Sequence, residues 1–270
     1  QDTGDITATI NQASKVQLKA GSGLNVTSAG ISEFAGESDS GNIAVVNTGG
    51  YAISDLSNIT GVRFTNSEAT GSISLVANSP LTINAPVSAG NGSLQLTASG
   101  SSSTDDVTIN AAISGGAIAV DAGDSIAVNS GGVTSTSLSL TASNDISVNT
   151  PIIATTANLN AGDQISLESG ASVSSSTFNV TSTKLKVDPS ASVPAFNFSG
   201  GAEGDPSFDR NGRVQEATQN DWSSYFRASG TVELAYDSAG DVVLDQMILS
   251  FIENEAAPVN SGEVELEEEE

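Results

Sequence analysis

The side chains in this chain with chemistry to offer are carboxylates, and little accompanies them. The sequence holds 32 Asp plus Glu against eight Lys plus Arg, with no His and no Cys. Imidazole bases and thiol nucleophiles are therefore excluded. Between residues 71 and 199 the acids are Asp105, Asp106, Asp121, Asp124, Asp145, Asp163, Glu168 and Asp188, and the only basic side chains are Lys184 and Lys186. Glycoside hydrolysis needs two carboxyls at a defined separation, and lyase chemistry needs a base with a cation. Asp106, Asp124, Asp145 and Asp163 instead stand one or two residues before an apolar alternating pair, where Asp serves turns. The expectation is a non-catalytic protein, since an enzyme would need its site built from residues 202–230. Hard cations want several oxygen ligands, and Asp105 and Asp106 beside Asp124 in the next repeat are the candidate calcium ligands. Calcium is the one cofactor these residues suggest, although no nonapeptide calcium repeat or EF-hand loop is present.

Those acids are carried by a repeat of about twenty residues that runs from Ile73 to Val193. Its first column is an alternating apolar pair at Ile73/Leu75, Leu94/Leu96, Ile118/Val120, Leu138/Leu140, Ala157/Leu159 and Phe178/Val180. The second stands at Leu81/Ile83, Val107/Ile109, Ile126/Val128, Ile146/Val148, Ile165/Leu167 and Leu185/Val187. A third, single aliphatic follows at Val87, Ile113, Val133, Ile153, Val173 and Val193. A unit this short, with two-residue alternation inside each strand, cannot bury its apolar face alone and must stack on copies of itself. The coil of a parallel β-helix does so. Behind the second column runs a polar one, Asn84, Asn110, Asn129, Asn149, Glu168 and Asp188. At one strand spacing, roughly 4.8 Å, stacked amides can hydrogen-bond along the axis, and Asn tolerates a left-handed turn backbone. This predicts an inward or turn-facing Asn ladder that ends at Glu168.

Four regions follow. Residues 1–70 carry the same materials in looser register, at Val16/Leu18, Leu24/Val26, Ile43/Val45 and Val62/Phe64, and read as irregular coils or a cap. Residues 71–199 are the regular coils, with a swollen loop at Ser101 to Asp106. Residues 200–251 hold Trp222, Tyr225 and three Arg, then a predicted hairpin turning at Ser238 to Asp241. Residues 252–270 form an acidic extended tail in which Val264 and Leu266 alternate with Glu.

A formal net charge of -24 repels nucleic acid and anionic membrane surfaces, which excludes both as partners. No apolar run reaches the roughly eighteen residues of a transmembrane segment. Five Asn-x-Ser/Thr sequons, at Asn25, Asn58, Asn91, Asn179 and Asn197, are the number a Ser/Thr-rich chain produces by chance.

The segments Leu81-Thr82-Ile83-Asn84-Ala85-Pro86-Val87-Ser88-Ala89-Gly90 and Asp145-Ile146-Ser147-Val148-Asn149-Thr150-Pro151-Ile152-Ile153 resemble the coils of filamentous-haemagglutinin-type surface proteins. The similarity covers roughly half the chain. It implies an all-β, right-handed parallel β-helix, export across the Gram-negative envelope, and a role in adhesion or surface structure. Two functions are expected from this reading. One is a secreted structural subunit of an extracellular filament or surface layer, self-associating through two open solenoid ends and the tail. The other is a cell-surface adhesin module that binds a glycan or host surface along its flat faces.

Overall fold

The computed structural model describes residues 4–188, 190–194 and 196–199, with the strand segments 207–208, 214–218 and 231–232. Within them the chain is an all-β parallel solenoid of about nine turns at roughly 20 residues per coil, with no helix. Small and β-branched residues in two-residue alternation fit flat, stacked strands and offer a helix no apolar stripe. Each coil crosses three faces. The first is built by Asp5–Ile10, Gly23–Ser28, Ile43–Asn47, Ser72–Ala77 and Ser93–Ala98, then the second halves of Ile113–Ala122, Val133–Ala142 and Pro151–Ala161, then Thr177–Thr181 and Phe196–Ser199. The second face runs through Tyr51–Ile53, Leu81–Ile83, Val107–Ile109, Ile126–Val128, Ile146–Val148, Gln164–Leu167 and Lys184–Val187. The third runs through Val62–Phe64 and Val87–Ser88, the first halves of the three long strands, and Ser172–Ser174. Near the start, Ala13–Ala20 and Ile31–Ser38 each cover the second and third faces in one strand.

The two paired columns of the sequence are the interior of the first and second faces. Ile73 pairs with Leu94, Leu94 with Ile118, Ile118 with Leu138, Leu138 with Ala157 and Ala157 with Phe178, and all six are buried. The third column is corrected at one position. Val133 pairs with Ile152, and Ile153 points outward with 54% of its surface exposed. Pro151 has already entered the strand, so this coil is one residue short. With a side-chain period of two, a one-residue shift moves a residue to the opposite face. The next coil restores the stride, because Ile152 pairs with Val173. An additional interior column is alanine: Ala77, Ala98, Ala122, Ala142 and Ala161 stack in register where the first face ends. A side chain this small leaves the backbone room to turn there.

The first 70 residues share the same register. Leu24 pairs with Ile43 and Ile43 with Ile73, while Val26, Val45 and Leu75 align beside them. Their spacing looks uneven because a hairpin, Asp55–Leu56 with Ile59–Thr60, is inserted between the second and third faces. It turns at Ser57, whose φ is 49°. Leu56 and Ile59 lie on the outward-facing Ala35 and form a second small apolar cluster.

The two ends of the stack differ, where the sequence predicts two open ones. At the C-terminal end, Lys184–Val187 takes Val214–Thr218 as an antiparallel neighbour and Phe196–Ser199 takes Thr231–Val232 likewise. Val214–Thr218 is itself backed by Ser207–Phe208. Reversed strands of this kind end the parallel repeat on its first and second faces, and Ser207–Phe208 and Thr231–Val232 are in turn paired on one side only among the described residues. At the N-terminal end, Asp5–Ile10 and Ala13–Ala20 each pair on one side only, among the described residues. Ile6, Ile10, Ala13 and Leu18 are correspondingly only partly buried there. The predicted hairpin beyond Val232, the Trp222 and Tyr225 segment and the acidic tail lie outside the described residues.

Candidate functional site

Asp106, Asp124, Asp145 and Asp163 stand at the corner that precedes the second face, where side-chain hydrogen bonds tie one coil to the next. The Ser125 N–H donates to Asp106 Oδ1 at 3.1 Å, the Asp145 N–H to Ser125 Oγ at 3.4 Å, and the Gln164 N–H to Asp145 Oδ1 at 3.1 Å. Thr183 Oγ1 donates to both Asp163 Oδ1, at 2.9 Å, and the Asp163 carbonyl, at 2.7 Å. Side-chain oxygens here accept amide hydrogens that the bend has taken out of the strand ladder, as buried backbone requires.

The three candidate calcium ligands are each engaged in hydrogen bonds of their own corner. Asp105 is buried, and its Oδ2 accepts the Ser102 N–H at 2.5 Å, closing its own loop. Gly100 backs onto that carboxylate so closely that a Cβ there would lie 2.1 Å from Oδ2. Asp106 caps Ser125, and Asp124 Oδ2 accepts the Ser125 hydroxyl at 3.3 Å. No group of three or more His, Cys, Asp or Glu placed to hold a metal ion occurs among the described residues. Burial pushes the Asp106 carboxyl up, the Ser125 N–H pulls it back, and nearby Asp124 and Asp105 push it further, so it sits above the ordinary carboxylate range. The buried Tyr51 hydroxyl has no hydrogen-bond partner, and burial raises its ionisation far from neutral pH.

The asparagine ladder exists, but it is short and lies outside. Asn110 Nδ2 donates to Asn84 Oδ1 at 3.0 Å, and Asn129 Nδ2 to Asn110 Oδ1 at 2.9 Å. The Asn149 Oδ1 accepts the Gly170 N–H at 2.9 Å instead. All four Asn are exposed, and none has a left-handed backbone, since Ser57 is the only non-glycine with positive φ among the described residues. Their backbone N–H groups continue the strand ladder to Ile53, Ile83, Ile109 and Val128, which accounts for the extended geometry. A second amide rung, Asn179 Nδ2 to Asn158 Oδ1 at 2.7 Å, lies on the first face. It was readable from the sequence, because both Asn lie between paired apolar residues of one column.

The strongest electrostatic feature lies outside the repeat pattern. Lys19, Glu37 and Arg63 occupy matching positions on three successive coils of the third face. Lys19 Nζ donates to Glu37 Oε2 at 2.9 Å, and the Arg63 guanidinium donates to Oε1. Earlier on the same two strands, Lys15 pairs with Glu33 at 2.9 Å. Glu37 is buried, at 3% exposure, with both partners beside it. Burial pushes its carboxyl up, but the hydrogen bonds and charges of Lys19 and Arg63 outweigh this and hold it below the ordinary value. Three of the chain's eight basic side chains are thus concentrated in the first coils.

Every described aromatic side chain is turned inward: Phe34, Tyr51, Phe64, Phe178 and Phe196 are all buried. No described helix is long and apolar enough to cross a membrane. No protein-family model, curated protein or solved structure matches the chain. Among the described residues its surface offers polar flat faces and, at the first coil, a parallel strand edge paired on one side only.

Proposed function

We propose that this chain is a non-catalytic structural subunit of an extracellular filament or surface layer, akin to the filamentous-haemagglutinin-type proteins that its coils resemble. The observation that carries the reading is that the two ends present different surfaces: the last coil continues into antiparallel strands, whereas the first presents parallel strands paired on one side only among the described residues. An unpaired edge is a template for another strand, and a contact between two different surfaces builds open chains unless its rotation closes a ring. A non-catalytic role is supported by the acids, which act as caps for neighbouring coils. A glycan-binding adhesin usually displays aromatic rings, and here the described rings face the core. Negative-stain electron microscopy of the purified full chain tests the proposal. Rods joined end to end are expected, whereas separate short particles at every concentration would overturn it.

A further inference from the structure

The self-assembly reading leaves open what the free edge receives, and the following inference rests on that reading. The edge strand Ala13–Ala20 presents Lys15-Val16-Gln17-Leu18-Lys19. Lys15, Gln17 and Lys19 are exposed, whereas Val16 is buried and Leu18 half-buried towards the interior. On the paired side, Glu33 and Glu37 stand opposite Lys15 and Lys19. Leu18 stands opposite Gly36, a residue with no side chain to cover it. The outer side of this strand has no neighbour among the described residues.

Elsewhere in the chain, outside the described residues, stands Glu263-Val264-Glu265-Leu266-Glu267. Laid beside the edge strand without a gap, it sets Glu263 against Lys15 and Glu267 against Lys19, with Val264 over Val16 and Leu266 over Leu18. The pattern is symmetric about Glu265, so the charge and apolar match survives in either strand direction. We propose that residues 263–267 of a second copy add as a strand to the outer edge of Ala13–Ala20. The added row continues the charge alternation already running through Lys19, Glu37 and Arg63. Main-chain hydrogen bonds supply affinity, and the alternate side chains supply register. The neighbouring open strand Asp5–Ile10 offers no cation, having Asp5, Thr7 and Thr9 at its exposed positions. A glutamate-rich strand is thus directed to the lysine edge.

The chain has no cysteine, so introduced thiols report position cleanly. Gln17 faces Glu265 in both strand directions. Full-length Gln17→Cys mixed with full-length Glu265→Cys, with oxidised glutathione as oxidant, should give a disulfide-linked heterodimer. Its yield should exceed that of exposed Thr177→Cys with Glu265→Cys at least ~tenfold, since a disulfide demands close Cα approach. The yield should fall in high salt, because the lysines remain partly exposed. Equal yields from the two mixtures would overturn the contact. Residues 233–262 reach about 100 Å at roughly 3.3 Å each, enough for a copy's own tail to return to its own edge. A double variant Gln17→Cys/Glu265→Cys that closes only within one chain, with no heterodimer from the mixture, would overturn the second-copy assignment. The outcomes separate from those for assembly itself. Filaments with equal cross-linking at Gln17 and Thr177 sink this contact alone, whereas a specific heterodimer without filaments upholds the contact and sinks the filament.

Discussion

Glu37 places a carboxylate where water barely reaches it, and its stability depends on the two cations that flank it. Its folded value is depressed, so the unfolded chain binds its proton at higher pH than the native one. Its contribution is complete above the unfolded Glu value of about 4.3 and is lost as pH falls through the folded value. Glu37→Gln should therefore destabilise the fold at neutral pH by about 1–2 kcal/mol, a modest figure because Lys19 and Arg63 are themselves partly exposed. Chemical denaturation at neutral pH and in acid should show that difference shrinking as pH falls. Asp106 runs the other way. Its carboxyl is raised, so its charge opposes folding once the pH exceeds the folded value. Asp106→Asn keeps an oxygen for the Ser125 N–H and should raise the melting temperature at neutral pH, with the gain vanishing in acid. Asn129→Ala removes one exposed ladder bond and should cost about 0.5–1 kcal/mol, the range for a hydrogen bond whose groups water can still reach. A loss above about 3 kcal/mol would mean that the amide is buried, contrary to its exposed position.

At the scale of the strand, the interior was legible because it is set by period-two alternation. The first and second columns align in the structure pair for pair as the sequence sets them out. Single-residue features were less legible. An even stride places Ile153 in the core, whereas a one-residue contraction at Pro151 puts Ile152 there instead. The charge ladder has no signature in the sequence, because Lys19, Glu37 and Arg63 are separated by coils of different length and no fixed period joins them. The asparagine column was visible, but its outward orientation was not, since spacing alone does not say which way a corner residue turns. The register makes a paired prediction. Ile152→Asp should prevent cooperative folding by putting an unpaired carboxylate in the core, and Ile153→Asp should be tolerated within about 0.5 kcal/mol, as at ordinary surface positions. Circular-dichroism melts of the two proteins decide it, and the reverse ranking would place the third column on the wrong face. Ile126→Asp, in the second column, should fail like Ile152→Asp.

For the whole molecule, the consequence lies in the unequal ends. A solenoid whose repeat continued unchanged at both ends would stack end on end. Here antiparallel strands at Val214–Thr218 and Thr231–Val232 follow the last coil, so a parallel strand edge of the repeat is presented by the first coil and not by those two faces at the other end. Assembly should then depend on the first coil as the surface that receives another copy. Leu18 is half-buried at that edge, and an inward-pointing charge on an edge strand is a device that blocks strand addition. The most direct measurement is sedimentation velocity with negative-stain imaging of the full chain and of full-length Leu18→Lys, at matched concentration and after confirming that both melt cooperatively. Concentration-dependent end-to-end rods from the unaltered chain and single particles from Leu18→Lys are the predicted result. Rods of equal length from both proteins, or single particles from both, would contradict the account.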